Sequence, residues 1–110
     1  MFVVENTIKV KKGYAEHMQG RFHQLGEIEK VPGFIELNLL RKKGDDDCDV
    51  IVVWSKWESQ QAHNDWHASD MFRQSHSGAR SEALIESKIA LYDVIANRVG
   101  EAVEAKKDAI

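Results

Sequence analysis

The chain has 110 residues, 43% of them hydrophobic and 30% charged, with a formal net charge of −3 at pH 7. This is the balance of one small globular domain, and it gives no electrostatic footprint for DNA or RNA. A single cysteine, Cys48, excludes an intrachain disulfide framework and a Cys₂His₂ zinc site. No apolar run is long enough to span a membrane. The opening Met1–Asn6 lacks a basic stretch followed by an apolar one, so a cytoplasmic location is expected.

Phe2 to Val10 alternates as a strand does. Phe2, Val4, Ile8 and Val10 share one face; Asn6 falls on that same apolar face. From Tyr14 to Lys30 the period changes to three and four, with Ala15, Met18, Phe22, Leu25 and Ile28 forming one stripe, which predicts an amphipathic helix. Gly20 and Gly26 each weaken it by roughly 1 kcal/mol relative to alanine. Pro32-Gly33 ends the segment.

Phe34 to Arg41 reads as a second strand, with Ile35, Leu37 and Leu39 on one face. Lys43 to Asp47 is a polar hairpin-like loop; its aspartates lack the alternation, glycine and closing glutamate of a Ca²⁺ loop. Cys48 to Trp57 is a third strand, apolar on both faces around Val50–Trp54. Helices cover one face of a small open sheet, so the other face asks for a partner, a first indication of a dimer. Ser59 is the expected N-cap of a helix reaching about Ala68. A short helix is expected around Met71, Phe72 and His76, followed by polar, irregular chain over 77–87. Lys88 to Arg98 reads as the fourth strand. The order predicts an α+β, ferredoxin-like βαββαβ domain over residues 1–99, with a charged C-terminal tail over 100–110.

Three residue types stand out. Asn6 places an amide on an apolar face, which is either a structural hydrogen bond or a group aimed into a cavity. Trp66 fits a core aromatic on the second helix, as Trp54 and Trp57 fit structural roles on the third strand. His63 and His67, at i and i+4, lack the third ligand of a zinc site and read as a solvated face. His76 alone is inadequate for zinc; it is adequate for haem, whose porphyrin supplies four nitrogens and needs one proximal histidine, but a surface histidine accounts for it equally.

Taken together, Glu5-Asn6, Gly20-Arg21-Phe22, Val31-Pro32-Gly33-Phe34, Trp57-Glu58-Ser59 with Ala62-x-x-x-Trp66, and Phe72-x-x-x-His76 with Arg80 resemble the Isd-type haem-degrading monooxygenases of the antibiotic-biosynthesis-monooxygenase-like superfamily. The resemblance spans nearly the whole domain. It implies a homodimeric α/β barrel with haem held between sheet and helices. It implies a catalytic set of Asn6, Trp66 and His76, with His76 ligating the haem iron, Asn6 positioning oxygen at the iron and Trp66 ruffling the macrocycle. Arg21 and Phe22 would complete the haem-binding residues, near the propionates and in the distal pocket; Leu25 stands where the family often carries a further basic residue. Haem would be both substrate and cofactor, with O₂ and an electron-donating reductase as co-reactants and a bilin-type product. A cofactor-independent quinol monooxygenase and a non-catalytic haem-binding protein are the alternatives.

Overall fold

The computed structural model describes residues 1–22, 27–44, 47–69 and 84–101. The elements run β1 (Phe2–Lys11), α1 (Tyr14–Phe22), a 3₁₀ turn (Ile28–Lys30), β2 (Phe34–Arg41), β3 (Cys48–Trp57), α2 (Gln60–His67) and β4 (Leu84–Asp93). The four strands form one sheet in the order β2-β3-β1-β4, and every neighbouring pair is antiparallel. This is the ferredoxin-like arrangement the alternation of strands and helices predicts.

The register fixes which side chains share a face. Phe2, Val4, Asn6, Ile8 and Val10 of β1 stand opposite Trp57, Ser55, Val53, Ile51 and Asp49 of β3. This face carries the core, in two separate clusters. The first joins Phe2, Val4 and Trp57 to Ile28, with Val31, Phe34, Leu37 and the α2 residues Ala62 and Trp66 packed on it. The second joins Val10 and Ile51 to Ala15, with Ile8, Tyr14, Met18, Leu39 and Leu84 around it. Each helix therefore covers its own end of the sheet.

Three expectations need correction. The stripe from Ala15 to Ile28 does not belong to one helix. α1 is described over Tyr14–Phe22, and Ile28 enters the other cluster from a separate 3₁₀ turn. Ala15 and Met18 pack in the second cluster and Ile28 in the first, so the stripe joins residues that pack in different places. Ile35 does not share a face with Leu37 and Leu39. The register slips between Phe34 and Glu36, so Phe34 packs inward while Ile35 is 40% exposed. β4 occupies Leu84–Asp93 rather than Lys88–Arg98. It is an edge strand paired only with β1, and its limits follow its partner: Leu84 meets Val10 at one end and Asp93 meets Phe2 at the other. An edge strand tolerates polar residues such as Glu86, Ser87 and Lys88, which is why the hydrophobic pattern misplaces it. The expected short helix at 69–76 and the tail beyond residue 101 lie outside the described residues.

Two long-range contacts hold the helices to the sheet. The Asp49 carboxylate accepts hydrogen bonds from Gly13 N at 2.9 Å and Ala15 N at 3.1 Å, so an acid on β3 satisfies backbone donors at the start of α1. At the other end, Ser59 caps α2 as expected, accepting from Ala62 N at 3.1 Å. There the Pro-Gly-Phe turn meets α2 directly. Gly33 has φ +83°, and a Cβ on it would lie 2.5 Å from Ala62 Cβ. Its carbonyl accepts from Glu58 N at 2.8 Å.

Gly33→Ala is therefore expected to cost about 2–5 kcal/mol, from left-handed backbone strain plus overpacking. In a urea-denaturation double-mutant cycle, adding Ala62→Gly should recover the overlap component, leaving the double variant less destabilised than the sum of the two single ones. Asp49→Ala should lower stability by about 1–3 kcal/mol by leaving the Gly13 and Ala15 donors without their charged acceptor.

Candidate functional site

Asn6 sits on the sheet row between the two core clusters. On β1 its same-face neighbours are Val4, in the first cluster, and Ile8, packed on the second. Across the ladders it stands opposite Val53 on β3 and Ile89 on β4. The amide is half-buried and does have a structural partner: Ser87 Oγ donates to Asn6 Oδ1 at 3.2 Å. That bond engages the carbonyl side of the amide and leaves its N–H donors to serve another group.

Beside Asn6, the same face of β4 carries Ile89 and Leu91, which are 67% and 54% exposed. The helix-facing side of the sheet therefore has a polar centre and an apolar margin that the described elements leave open to solvent. This is a largely apolar surface with one oriented amide.

Trp66 flanks this region from α2. Its ring centroid lies 5.4 Å from that of Trp57 at 36°. Trp57 is fully buried and donates from Nε1 to Ser55 Oγ at 3.0 Å, which satisfies the indole in the interior. Phe34 packs edge-on against it at 5.3 Å and 75°. Trp57 is structural, as its strand position suggests. Trp66, half-buried, rests on that fixed base at the first core cluster.

Arg21 and Phe22 close α1, Arg21 exposed and Phe22 half-buried. A guanidinium in the last turn of a helix also suits the helix dipole. Asn6 stands on the helix-facing side of the sheet and Trp66 packs in the first cluster on that side; His76, with Phe72 and Arg80, lies outside the described residues. Among the described residues no cluster of three or more metal-ligating side chains occurs.

His63 departs from expectation. It is not part of a solvated face: it is half-buried, with its ring 5.4 Å from Trp57, 5.9 Å from Phe2 and 6.1 Å from Trp66. Burial lowers its pKa below 6.5; a hydrogen bond with Asn64 opposes the shift and the nearby His67 adds to it. The signal in the sequence was the spacing to Trp66: residues three apart on a helix are neighbours. His67, one turn further on, is exposed as expected.

The outer face of the sheet carries Val50, Val52 and Trp54 of β3, opposite Lys9, Thr7 and Glu5 of β1. Leu40 and Tyr92, on the same side, are each 47% exposed. Past β4 the chain carries no regular secondary structure over 94–100, and Lys56 Nζ donates to Asn97 Oδ1 at 3.4 Å. No helix among the described residues is long and apolar enough to cross a membrane.

Comparison with known proteins agrees with this architecture. The family model for antibiotic biosynthesis monooxygenases matches residues 1–78. A heme-degrading monooxygenase from Bacillus cereus (strain B4264) is 33% identical over 96 residues, covering 86% of this chain and 90% of that protein. A crystal structure from Bacillus cereus, placed among the antibiotic biosynthesis monooxygenases, superposes with a TM-score of 0.76 at 31% identity, covering 90% of this chain and 97% of that one. The heme degrader MhuD from Mycobacterium tuberculosis, with two hemes bound in its active site, superposes with a TM-score of 0.71 at 26% identity over 91% of this chain and 100% of that one. On its sequence, its sheet order and the extent of these matches, the chain belongs to the antibiotic biosynthesis monooxygenase family.

Proposed function

We propose that this protein is a haem-degrading monooxygenase that binds haem against the helix-facing side of its sheet and opens the porphyrin. The observation that carries this reading is the position of Asn6: an oriented amide between two apolar clusters, beside the exposed Ile89 and Leu91. The similarity to a heme-degrading monooxygenase over most of the chain supports the same ligand. Bound haem supplies the redox chemistry and is itself the substrate, consumed with O₂ and external electrons to release iron and a bilin-type product.

The protein's own residues then bind, orient and distort. Asn6, with its carbonyl engaged by Ser87, offers neutral N–H donors toward the reacting oxygen. Trp66 would supply a rigid indole to pack against the macrocycle, backed by the buried Trp57 on which it rests. Arg21 pairs with a propionate, for which a guanidinium fork is suited, and Phe22 lines the pocket. His76 would hold the haem iron through its imidazole. The apolar side chains on the outer sheet face, Val52 and Trp54 with Leu40, pack against a second copy, giving a cytoplasmic homodimer that draws electrons from a separate reductase.

Hemin titration of the purified chain should give a Soret band saturating at one haem per subunit, and ascorbate in air should bleach it with release of chelatable iron. His76→Ala should change the Soret and visible bands as the axial ligand is lost. Asn6→Ala and Trp66→Ala should retain haem but degrade it more slowly, roughly a hundredfold for the amide. A Soret band stable under reductant and O₂ would instead describe a haem-binding protein without turnover. No haem uptake, with O₂ consumption on a quinol, would describe a cofactor-independent enzyme. Light scattering should give twice the chain mass, and Trp54→Glu should reduce it to one chain.

A further inference from the structure

The ring contacts around α2 have a consequence for the site. Phe2, Trp57, His63 and Trp66 form one aromatic group at the first core cluster, with Phe2 from β1, Trp57 from β3, and His63 and Trp66 one turn apart on α2. Trp57 is buried and hydrogen-bonded, so it is the fixed member. His63 stands edge-on to it at 76° and also touches the indole of Trp66. We infer that His63 is a positioning residue for Trp66: its uncharged ring, wedged among Phe2, Trp57 and Trp66, holds the indole in its seat, and a proton on the imidazole loosens that seat.

The physical reason is that a neutral imidazole packs as an aromatic ring, whereas an imidazolium needs water or a counter-charge. The elements packed on His63 supply no counter-charge, and its half-buried ring keeps only part of its surface in water. β1 presents Phe2, β3 presents Trp57, and α2 presents Asn64, Trp66 and His67. Among these His67 is the one titratable group; its ring centroid is 6.0 Å away, and its charge opposes a second one on His63. With the folded-state pKa held below 6.5, the unfolded chain takes up the proton first as pH falls. The contribution of neutral His63 to stability is thus fully present above pH 6.5 and is lost on acidification through the folded-state value. For the haem reading on which its functional consequence rests, the effect is a site that loses its distorting indole in mild acid.

The test uses haem-free protein labelled with 5-fluorotryptophan, with the three ¹⁹F resonances assigned by Trp→Phe variants. The Trp66 and Trp57 resonances should shift together on acidification, with a midpoint below 6.5, while that of Trp54 on the opposite sheet face stays still. His63→Phe should abolish the shift, and His63→Leu serves the same comparison if the phenylalanine does not pack. His67→Gln should raise the midpoint toward 6.5 by removing the opposing charge. A pH-invariant Trp66 resonance, an unchanged response in His63→Phe, or a midpoint above 6.5, which would mean that the indole faces attract the imidazolium, overturns the inference. With hemin and ascorbate, the wild-type degradation rate should fall by up to about tenfold per pH unit below the midpoint, and the His63→Phe profile should be flat over that range. If hemin is degraded at no pH while the fluorine response is as expected, the role of His63 stands and the haem reading falls.

Discussion

The burial of Trp57 is the contact on which the rest of the molecule depends. It sits at the end of β3, register-paired with Phe2 on β1 and with Phe34 on β2, so one indole closes the ends of three strands. Complete removal of so large a ring from water is a major item of core stabilisation, and the bond to Ser55 avoids the cost of an orphaned N–H. The same ring is the surface on which α2 lands through Ala62, His63 and Trp66. Core and candidate site are thus one packing unit, and what disturbs Trp57 reaches Trp66 within a single van der Waals contact.

The second constraint is the division of the core. A small sheet would gain most by burying its central row under a helix, but the row of Asn6 and Val53 lies between the clusters organised by α1 and α2. An amide there forgoes apolar burial and demands hydrogen bonds, a cost of about 1–3 kcal/mol when unmet. Ser87 meets part of that demand from the edge strand. Locally inconsistent choices of this kind are where function is expected in an otherwise consistent sequence. The exposed Ile89 and Leu91 beside it are the complementary signal, since apolar surface left open on the inner face of a sheet is surface kept for something else.

Much of this could be read from the residues. β2 and β3 fall where alternation and the flanking turns put them, and α2 starts at its Ser59 cap. Both strands pack one face on the core, Phe34, Leu37 and Leu39 from β2 and Ile51 and Trp57 from β3, so their apolar periodicity shows. Asn6 stood out for the same reason: the period of two assigns it to an apolar face whatever the rest of the fold does. The misreadings have the opposite origin. β4 is an edge with few burial demands, so its hydrophobicity does not mark its ends. The α1 stripe ran on into Ile28 because a helical spacing does not reveal that its residues belong to two clusters.

The amino-acid sequence by itself determined the order of strands and helices, the face on which Asn6 stands and the family to which the chain belongs, because these rest on local periodicity, caps and short motifs. Only the tertiary structure decided that Gly33 must lack a side chain to admit Ala62, that Asp49 caps a helix 34 residues away in the chain, and that His63 is packed among indoles rather than bathed in water. Those three depend on which distant segments meet: the spacing of His63 to Trp66 puts them on one helix face, but only the fold brings Phe2 and Trp57 against that face.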